Sequence, residues 1–432
     1  MNVVVLLVIA AAVPYAAWSF WDRSRQKKAA ERHSAAERLG DESFPLTLHP
    51  EIDLDKCIGS GSCVRACPEK DILAITDGRA RLINPLSCVG HSACLAACPV
   101  GAITLVYGTA TRGVELPKLS PSYETSQRGI YVVGELSGMG LIRNAVEQGR
   151  QASVAIKKEG RRGGDFDVIV VGAGPSGTAA ALGCEAYGLR TLVVDQTAWG
   201  GTIVHYPRAK VVMTGSFELP GYGTVRKRTM SKEDLVELWN DIRARTQLHI
   251  EEGVRVESIV ADGNVWRMIG SNGWMRRAAN VVLALGRRGA PNLLGVPGEE
   301  MSHVAYRLLE PEVYSGKRVL IVGGGNAAGD CAIALVEQGH CAGVAISYRR
   351  DELARLRGDV RNKIDKMVRA GQIKPFLGTE VVEIQADRVT LRGRAGNVRL
   401  PVDAVIVQIG GRAPSELLRS IGIELVEKRG AA

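Results

Sequence analysis

The chain has 432 residues, a length that suggests roughly two to four domains. Hydrophobic residues make up 46% of it and charged residues 23%, which excludes an intrinsically disordered chain and a coiled coil. The formal net charge is +9, yet no basic segment is interleaved with aromatic residues, so nucleic acid is not an expected partner. Glycine is in excess at 50 residues without a collagen-like period, which indicates close backbone approaches of the kind that nucleotide sites need.

The N-terminal segment predicts a membrane anchor. Residues 1–21 carry no charged side chain, and at about 1.5 Å per residue they match a hydrocarbon core roughly 30 Å thick. Arg23, Arg25, Lys27 and Lys28 follow at once, which by the positive-inside rule predicts a single-pass membrane protein with its C-terminal domains in the cytoplasm. The alternative is a cleaved signal peptide, although the basic residues that normally precede its apolar core are missing.

Cysteine spacing is the most specific signal in this N-terminal part of the chain. Six of the nine cysteines form a repeat, in which Cys57, Cys63 and Cys67 recur with the same spacing as Cys88, Cys94 and Cys98. Disulfides are not expected in a cytoplasmic segment, and structural zinc favours paired C-x2-C knuckles. The spacing C-x5-C-x3-C-P fits instead the iron–sulfur run C-x2-C-x2-C-x3-C-P, with the second cysteine replaced by Ser60 in one copy and by His91 in the other.

This segment, CIGSGSCVRACP…CVGHSACLAACP, resembles a two-cluster bacterial ferredoxin over about residues 48–108. The resemblance implies one cluster held by Cys57, Cys63 and Cys98 and another held by Cys67, Cys88 and Cys94. Ser60 is an optional ligand of the first cluster and His91 of the second. The missing cysteine permits either 3Fe-4S or 4Fe-4S clusters, and a neutral imidazole ligand would raise the potential of the His91 cluster. The alternative is a decayed site that no longer binds iron.

A dinucleotide-binding unit follows in FDVIVVGAGPSG. An apolar strand leads into a glycine turn and an alanine-rich helix, and a second strand ends at the acidic residue Asp195. In such a unit the helix N-terminus faces a pyrophosphate and the acid accepts a ribose hydroxyl. The candidate binding residues of the turn are Gly172, Gly174, Pro175, Ser176 and Gly177.

A second unit begins at KRVLIVGGGNAAGD, and its next strand ends in Arg349 and Arg350 rather than in an acid. An arginine at this place accommodates a 2′-phosphate, so NADPH is expected in preference to NADH. The alternative is a solvated basic surface run. The candidate residues of this turn are Gly323, Gly325, Asn326, Ala327 and Ala328.

Two such units in series, with ALG and GVPGEE between them, resemble the thioredoxin-reductase-like flavoproteins over about residues 165–432. The resemblance implies FAD on the first unit and NAD(P)H on the second. It also assigns cofactor contacts to four further glycines, Gly200, Gly201, Gly286 and Gly410. The stretch before the second turn, HVAYRLLEPEVYSGKRV, lacks the C-x-x-C of thioredoxin reductases, so disulfide reduction is not expected.

Proteins of this family end in a segment that covers the flavin. The residues that follow VDAVIVQIGGRAP in this chain do not match that segment. Residues 128–156 match that segment, which predicts a circular permutation. On this interpretation Gly134 and Glu135 face the flavin, and a helix opens near Gly140. The alternative is an extra amphipathic helix packed elsewhere.

The predicted fold class is α/β, with two Rossmann-like domains of thioredoxin-reductase type preceded by an α+β ferredoxin domain and one N-terminal transmembrane helix. The predicted boundaries are a transmembrane helix at 1–21, a charged solvated stalk at 22–47, the ferredoxin domain at 48–108, the permuted FAD segment at 109–160, the FAD domain at 161–294, the NAD(P) domain at 295–413 and a return to the FAD domain at 414–432.

Together these features predict a membrane-anchored iron–sulfur flavoprotein that oxidises NAD(P)H and passes electrons through FAD to two clusters. Hydride transfer needs no general acid or base, so no catalytic side chain is assigned. The acceptor stays open among a quinone, a cytochrome and a ferredoxin-like protein, and relatives suggest a homodimer. The alternatives are electron flow in reverse to make NADPH, cluster-fed reduction of a small substrate at the flavin, and a membrane-tethered redox sensor.

Overall fold

The computed structural model describes residues 3–430 apart from 139, 207, 209, 228, 287–290, 395, 412 and 413. For residues 3–11, 18, 39, 42 and 213 it describes the backbone alone. Contacts divide the chain into two units, one formed by Met1–Val114 with Lys428–Ala432 and the other by Glu115–Glu427.

The first unit is built from two short hairpin-like sheets and three helices. Strand β1 pairs antiparallel with β4, and β2 pairs antiparallel with β3. Asp77 and Gly78 join β2 to β3 with positive φ at both positions, the backbone that a tight two-residue hairpin turn requires. The elements are α1 (Val3–Leu39), β1 (His49–Ile52), α2 (Ser62–Ala66), β2 (Leu73–Thr76), β3 (Arg79–Leu82), α3 (Ala93–Ala96) and β4 (Ile103–Val106).

The prediction of a transmembrane helix, and with it the single-pass membrane placement, is wrong. In the part of the chain that the structure describes, no helix has both the length and the apolar character needed to cross a membrane. Helix α1 does not end at Trp21 but continues through charged residues to Leu39. Residues 1 and 2 lie outside the described residues.

The later turns of α1 are packed on the first unit on one side. Ala29 and Ala36 are buried, and His33 Nδ1 lies 3.0 Å from the carbonyl oxygen of Leu82 in β3. Arg32 pairs with Asp71 on the neighbouring loop. This part of the predicted stalk is helical, and one of its faces is packed rather than solvated.

The second unit begins with β5 and contains two parallel sheets with helices packed on them. Its helices are α4 (Ile142–Glu159), α5 (Pro175–Ala186), α6 (Lys232–Arg245), α7 (Asn326–Glu337), α8 (Gly358–Arg369) and α9 (Ser415–Ser420). Its strands are β5 (Val114–Pro117), β6 (Ile130–Val132), β7 (Phe166–Val171), β8 (Thr191–Asp195), β9 (Val211–Met213), β10 (Phe217–Leu219), β11 (Gly223–Val225), β12 (Thr229–Ser231), β13 (His249–Glu252), β14 (Val256–Asp262), β15 (Val265–Gly270), β16 (Met275–Leu283), β17 (Val304–Ala305), β18 (Arg318–Val322), β19 (Gly343–Tyr348), β20 (Ile373–Leu377), β21 (Thr379–Ile384), β22 (Arg388–Gly393), β23 (Gly396–Pro401), β24 (Ala404–Val407) and β25 (Leu425–Lys428).

The first sheet has the strand order β13-β8-β7-β16-β15-β14. Strands β13, β8, β7 and β16 are parallel, and β15 and β14 extend the sheet antiparallel. Strand β6, which comes earlier in the chain than β7, pairs parallel with the end of β16. Strand β7 is buried on both faces, as the near-continuous apolar sequence FDVIVV predicts for a covered parallel strand.

The second sheet has the order β17-β24-β18-β19-β20 and is parallel throughout. An antiparallel sheet of β21, β22 and β23 packs beside it through a shared apolar cluster. The chain then returns to the first sheet, where Leu418, Ile421 and Ile423 of α9 and the turn after it join the buried core beneath β14.

Helices α4 and α5 approach each other closely because small residues face each other. A Cβ atom on Gly149 of α4 would stand 2.1 Å from the carbonyl oxygen of Ser176 in α5. A Cβ atom on Gly183 of α5 would stand 2.1 Å from the Ser153 hydroxyl of α4. The upstream segment is therefore packed directly on the helix that follows the first glycine turn.

Candidate functional site

The two copies of the cysteine repeat share one backbone geometry. Gly59 and Gly90 both have positive φ, and a Cβ atom on either would collide with a carbonyl oxygen, that of Gly78 or that of Leu48. The residue two positions later is left-handed in both copies and begins a short helix, α2 after Gly61 and α3 after Ser92. In each copy, the position at which the expected cysteine is replaced lies between these two left-handed residues. Ser60 and His91 therefore occupy equivalent places.

The structure brings the first predicted ligand set together. Three cysteines line one small pocket, namely Cys57, Cys63 and Cys98. The backbone amide of Ala80 donates to Cys57 Sγ at 3.4 Å, and that of Ala102 donates to Cys98 Sγ at 3.2 Å. Ser60 lines the same pocket, and its exposed hydroxyl donates to Ser62 Oγ at 3.3 Å.

The members of the second predicted set also lie near one another. Cys67 interacts electrostatically with Cys88, and Cys88 with Cys94. Burial, followed by the charge of Glu69, raises the pKa of the Cys67 thiol to about 12. Burial raises the pKa of the Cys88 thiol to about 11. Thiols of this kind lose their protons when a bound metal supplies the compensating charge.

His91 lies in this second group and contacts a carboxylate. Its Nε2 atom is 2.8 Å from Glu69 Oε2, and both side chains are buried to about nine-tenths. Cys67 Sγ donates to the same carboxylate oxygen at 3.6 Å. Burial pushes the pKa of Glu69 upward, but the hydrogen bond and charge of His91 outweigh it and hold that pKa below its usual value. One possible ligand atom from each of Cys67, Glu69 and His91 lies within 4.8 Å of the other two.

Glu69 was not among the residues predicted from the sequence, although the repeat contains a signal for it. In the register that aligns Cys57 with Cys88, Glu69 corresponds to Val100, just as His91 corresponds to Ser60. Ser60 and Val100 line the first pocket, while Glu69 and His91 pair at the second. Two departures from the repeat, at Glu69 and His91, therefore meet in space, and the grouped cysteine thiols are donors that fit iron–sulfur clusters.

The first glycine turn lies between β7 and α5. Gly172 has a φ of 109°, and a Cβ atom there would stand 2.4 Å from the carbonyl oxygen of Ala284. Pro175 is the first residue of α5, where its missing amide proton costs nothing. Asp195, at the end of β8, is buried and accepts hydrogen bonds from the amides of Ala173 at 2.9 Å and Thr197 at 2.8 Å. Its carboxylate thus faces the turn.

The upstream segment reaches the same turn. Gly134 has a φ of 81°, and a Cβ atom on it would stand 2.4 Å from Ser176 Oγ. The side chain of Gln148 in α4 accepts the Gly134 amide proton at 2.7 Å, a contact that the sequence did not suggest. Glu135 is half-buried and lies beside Gly140, just before α4 begins.

Gly200 and Gly201 also approach this turn. Both have positive φ, and a Cβ atom on Gly201 would stand 3.0 Å from the amide nitrogen of Gly174. Gly286 follows β16 with a φ of 64°, and the residues directly after it, 287–290, lie outside the described residues. Gly410 has a φ of 91° and faces the Asn292 side chain.

The second glycine turn joins β18 to α7. Gly323 has a φ of 144°, and a Cβ atom there would stand 2.3 Å from the carbonyl oxygen of Gln408. Gly325 precedes α7, which begins with Asn326, Ala327 and Ala328, and the Asn326 side chain accepts the amide proton of Arg357 at 2.7 Å. Arg349 and Arg350 follow β19 directly, the first exposed and the second half-buried.

Comparison with known proteins identifies two regions. A family model described as "Pyridine nucleotide-disulphide oxidoreductase" matches residues 169–431, and one described as "4Fe-4S dicluster domain" matches residues 49–99. A "Ferredoxin--NADP reductase" of Ignicoccus hospitalis is 30% identical over 266 residues, which cover 60% of this chain and 82% of that protein. The "Bacilliredoxin reductase Bdr" of Bacillus subtilis is 25% identical over 61% of this chain and 82% of its own length. The solved bacillithiol disulfide reductase of Bacillus cereus shares the fold at a TM-score of 0.53 and 24% identity, covering 60% of this chain and 82% of that one.

Proposed function

The chain belongs to the pyridine nucleotide-disulphide oxidoreductase family, and we propose that it oxidises NAD(P)H and delivers the electrons through FAD to two iron–sulfur clusters of its dicluster domain. The observation that carries the proposal is the pair of buried or half-buried cysteine groups on the same chain as two glycine turns. A flavin exchanges electrons in pairs or singly, and clusters carry them singly, so the two cofactor types suit each other.

The cluster ligands we propose are those of the two cysteine groups. Cys57, Cys63 and Cys98 hold one cluster, with Ser60 beside it. Cys67, Cys88 and Cys94 hold the other, with His91 as the non-cysteine ligand. The contact between His91 and Glu69 fixes the ring and leaves its other nitrogen for iron. The backbone amides of Ala80 and Ala102, which donate to the sulfurs of Cys57 and Cys98, stabilise negative charge on the first cluster.

The FAD site we propose combines the first glycine turn with the upstream segment, as a circular permutation requires. Strand β6 occupies a parallel position beside β16, and α4 lies against α5 at the glycine turn. The N-terminus of α5 offers backbone amides to a pyrophosphate, and Asp195 is the acid at the end of the second strand. Glu135 and Gly140 complete the site from the upstream side.

The nicotinamide nucleotide site we propose lies at the turn before α7. NADPH is favoured over NADH because Arg349 and Arg350 follow β19 directly, where an acidic residue would select NADH. When bound, FAD supplies hydride acceptance from the nicotinamide. The chain's own residues orient the two nucleotides and need not move a proton.

Disulfide reduction is not part of the proposal. The three cysteines outside the repeat are Cys184, Cys331 and Cys341, and burial raises the pKa of each thiol, that of Cys184 to about 12. Buried thiols with raised pKa are poor nucleophiles. Purified protein should therefore leave an added low-molecular-weight disulfide unreduced in the presence of NADPH.

The test of the proposed function is an anaerobic titration of the full-length, cluster-loaded protein with NADPH and, separately, NADH. Visible absorbance reports the flavin and EPR reports the clusters. We expect both to be reduced, with NADPH effective at the lower concentration. If NADPH reduces the flavin but not the clusters, although dithionite does reduce the clusters, the proposed electron path is overturned. Electron flow in the opposite direction is then favoured.

A further inference from the structure

The first unit contains a cavity that neither the cysteine repeat nor the nucleotide turns use. Its volume is about 330 Å³, at the lower end of the range for small-molecule sites. It lies between the end of α1, the β1–β4 pair and β3. The walls are apolar at Phe44, Leu54, Leu82 and Val106. The ionisable side chains that line the cavity are His33, Asp41, His49, Glu51 and Arg81.

The cavity shares a wall with the first cysteine group. Ile52 and Ala80 line both this cavity and the pocket of Cys57, Cys63 and Cys98. The amide of Ala80 is itself the donor to Cys57 Sγ at 3.4 Å. A molecule in the cavity is thus separated from a cysteine sulfur by the thickness of one residue.

One cation on the cavity wall has no partner among the residues that the structure describes. Arg81 of β3 lines the cavity and is half-buried, and among the described residues its guanidinium makes no ion pair or hydrogen bond. By contrast, Arg32 of the same unit pairs with Asp71, and Arg112 donates to the carbonyl oxygen of Asp41. A half-buried guanidinium without an acceptor is costly unless a ligand supplies one.

Phe44 and His49 form an aromatic part of the cavity wall. His49 is 3% exposed, its Nδ1 atom lies 2.9 Å from the carbonyl oxygen of Thr47, and its ring lies 5.7 Å from that of Phe44. Burial lowers the pKa of His49, which favours the neutral imidazole at pH 7. A flat ring bound in the cavity would therefore have aromatic neighbours at one end and the Arg81 guanidinium on another wall.

We propose that this cavity binds the electron acceptor, and that the acceptor is a small quinone whose carbonyl oxygen accepts a hydrogen bond from Arg81. The inference rests on the proposed function, and it assigns a substrate class and a place to the acceptor. The balance is NADPH + H⁺ + quinone → NADP⁺ + quinol. The hydride of NADPH supplies two electrons and one proton, and that proton is released to water. The two electrons cross the wall of Ile52 and Ala80 one at a time, the quinone takes two protons from water so that one proton is consumed overall, and its two carbonyl groups become hydroxyls.

The experiment measures binding of menadione to the oxidised full-length protein by equilibrium dialysis, with no NADPH present. We expect about one equivalent to bind. Arg81→Gln should weaken binding about tenfold or more, because it replaces a charged donor. Ala110→Trp, at an exposed residue of the cavity lining, should abolish binding by filling the space without disturbing the core. Arg32→Gln, which removes an exposed arginine outside the cavity, is the matched control and should bind menadione like the unaltered protein.

The outcomes separate this inference from the proposed function. If the unaltered protein does not bind menadione, or if Arg81→Gln and Ala110→Trp bind it normally, the inference is wrong even where NADPH reduces both clusters. Arg81-dependent binding of benzoate without menadione binding would also overturn it, because the site would then take carboxylates. Menadione binding that follows the expected pattern supports the quinone site even if NADPH fails to reduce the clusters, a result that would overturn the proposed function alone.

Discussion

Glu69 and His91 are two positions at which the copies of the cysteine repeat differ, and their side chains contact each other at 2.8 Å. Because both are buried, each limits the orientations open to the other. A carboxylate beside a ligating imidazole fixes the ring, selects the tautomer and makes the imidazole a stronger donor. Glu69 therefore acts as a positioning residue for the second cluster.

Replacing Glu69 tests that role. Glu69→Ala should weaken or remove the nitrogen hyperfine coupling from His91 in pulsed EPR of the reduced cluster, because the ring loses its fixed partner. Glu69→Gln keeps an acceptor at the same place and should retain the coupling, while the loss of negative charge raises the cluster potential. Asp71→Asn, at an exposed acid nearby, is the control and should change neither signal. A coupling unchanged in Glu69→Ala would show that the contact does not orient the ring.

The replaced ligand position itself gives a matched pair of variants. His91→Cys restores a thiolate in the second copy and should lower that cluster's potential by on the order of 100 mV, because it adds negative charge. Ser60→Cys makes the equivalent change in the first copy and should alter only the first cluster. EPR-monitored redox titration of both variants checks the assignment. Equal changes at both clusters in either variant would contradict the division of ligands into two separate groups.

At the scale of elements, the contact between α4 and α5 holds the upstream segment on the first glycine turn. The methyl group of Gly149→Ala would collide with the carbonyl oxygen of Ser176, so the helices must separate. We expect the free energy of unfolding to fall by about 1–3 kcal/mol and bound FAD to be lost more readily. Lys158→Ala, on the exposed side of α4, is the control. Thermal unfolding followed by CD, with flavin release by fluorescence, measures both effects.

Asp167 at the start of β7 ties the first sheet to the loops below it. It is buried and accepts hydrogen bonds from Arg190 and from the amide of Gly163. Burial raises the pKa of Asp167, but the hydrogen bonds and the charge of Arg190 outweigh the effect of burial and hold that pKa below its usual value. A carboxyl with a depressed folded-state pKa stabilises the fold above its unfolded pKa of about 4, and this contribution is lost as the pH falls through the lower folded value.

Asp167→Asn should therefore lower the free energy of unfolding at pH 7 by about 1–3 kcal/mol. The difference from the unaltered protein should shrink as the pH falls below about 4. Urea unfolding at several pH values measures this, with Asp262→Asn as a control on the same sheet. A difference that stays constant down to pH 3 would show that the charge of Asp167 is not the cause.

Local signals predicted the elements well where the interacting residues are close along the chain. The sequence FDVIVVGAGPSG predicted β7, its glycine turn and α5, because apolar strands and helix-starting turns are encoded by neighbouring residues. The register of the cysteine repeat predicted the equivalence of Ser60 and His91. Contacts made at a distance could not be predicted in this way, and the pairing of Glu69 with His91 and of Gln148 with Gly134 depend on tertiary packing.

The wrong prediction came from reading an uncharged run in isolation. Residues 1–21 were expected to form a separate transmembrane helix, whereas α1 continues to Leu39, and its later turns bury Ala29 and Ala36 against the first unit. The length and packing of a helix depend also on the residues beyond its apolar run. The absence of charge alone did not contain that information.

At the scale of the whole molecule, the proposal joins two kinds of redox chemistry on one chain. The family match covers residues 169–431, and the dicluster match covers residues 49–99. A flavin accepts a hydride and clusters carry single electrons, so the two regions serve one reaction when electrons pass between them.

The most direct test is the time course of one reduction. The anaerobic, oxidised full-length protein is mixed rapidly with NADPH, flavin absorbance is followed by stopped flow, and cluster EPR is followed by freeze-quench. The account predicts that the flavin bleaches first and that cluster signals then grow as flavin absorbance partly recovers. Cluster signals that never appear within many turnovers of flavin reduction, although dithionite produces them, would contradict it.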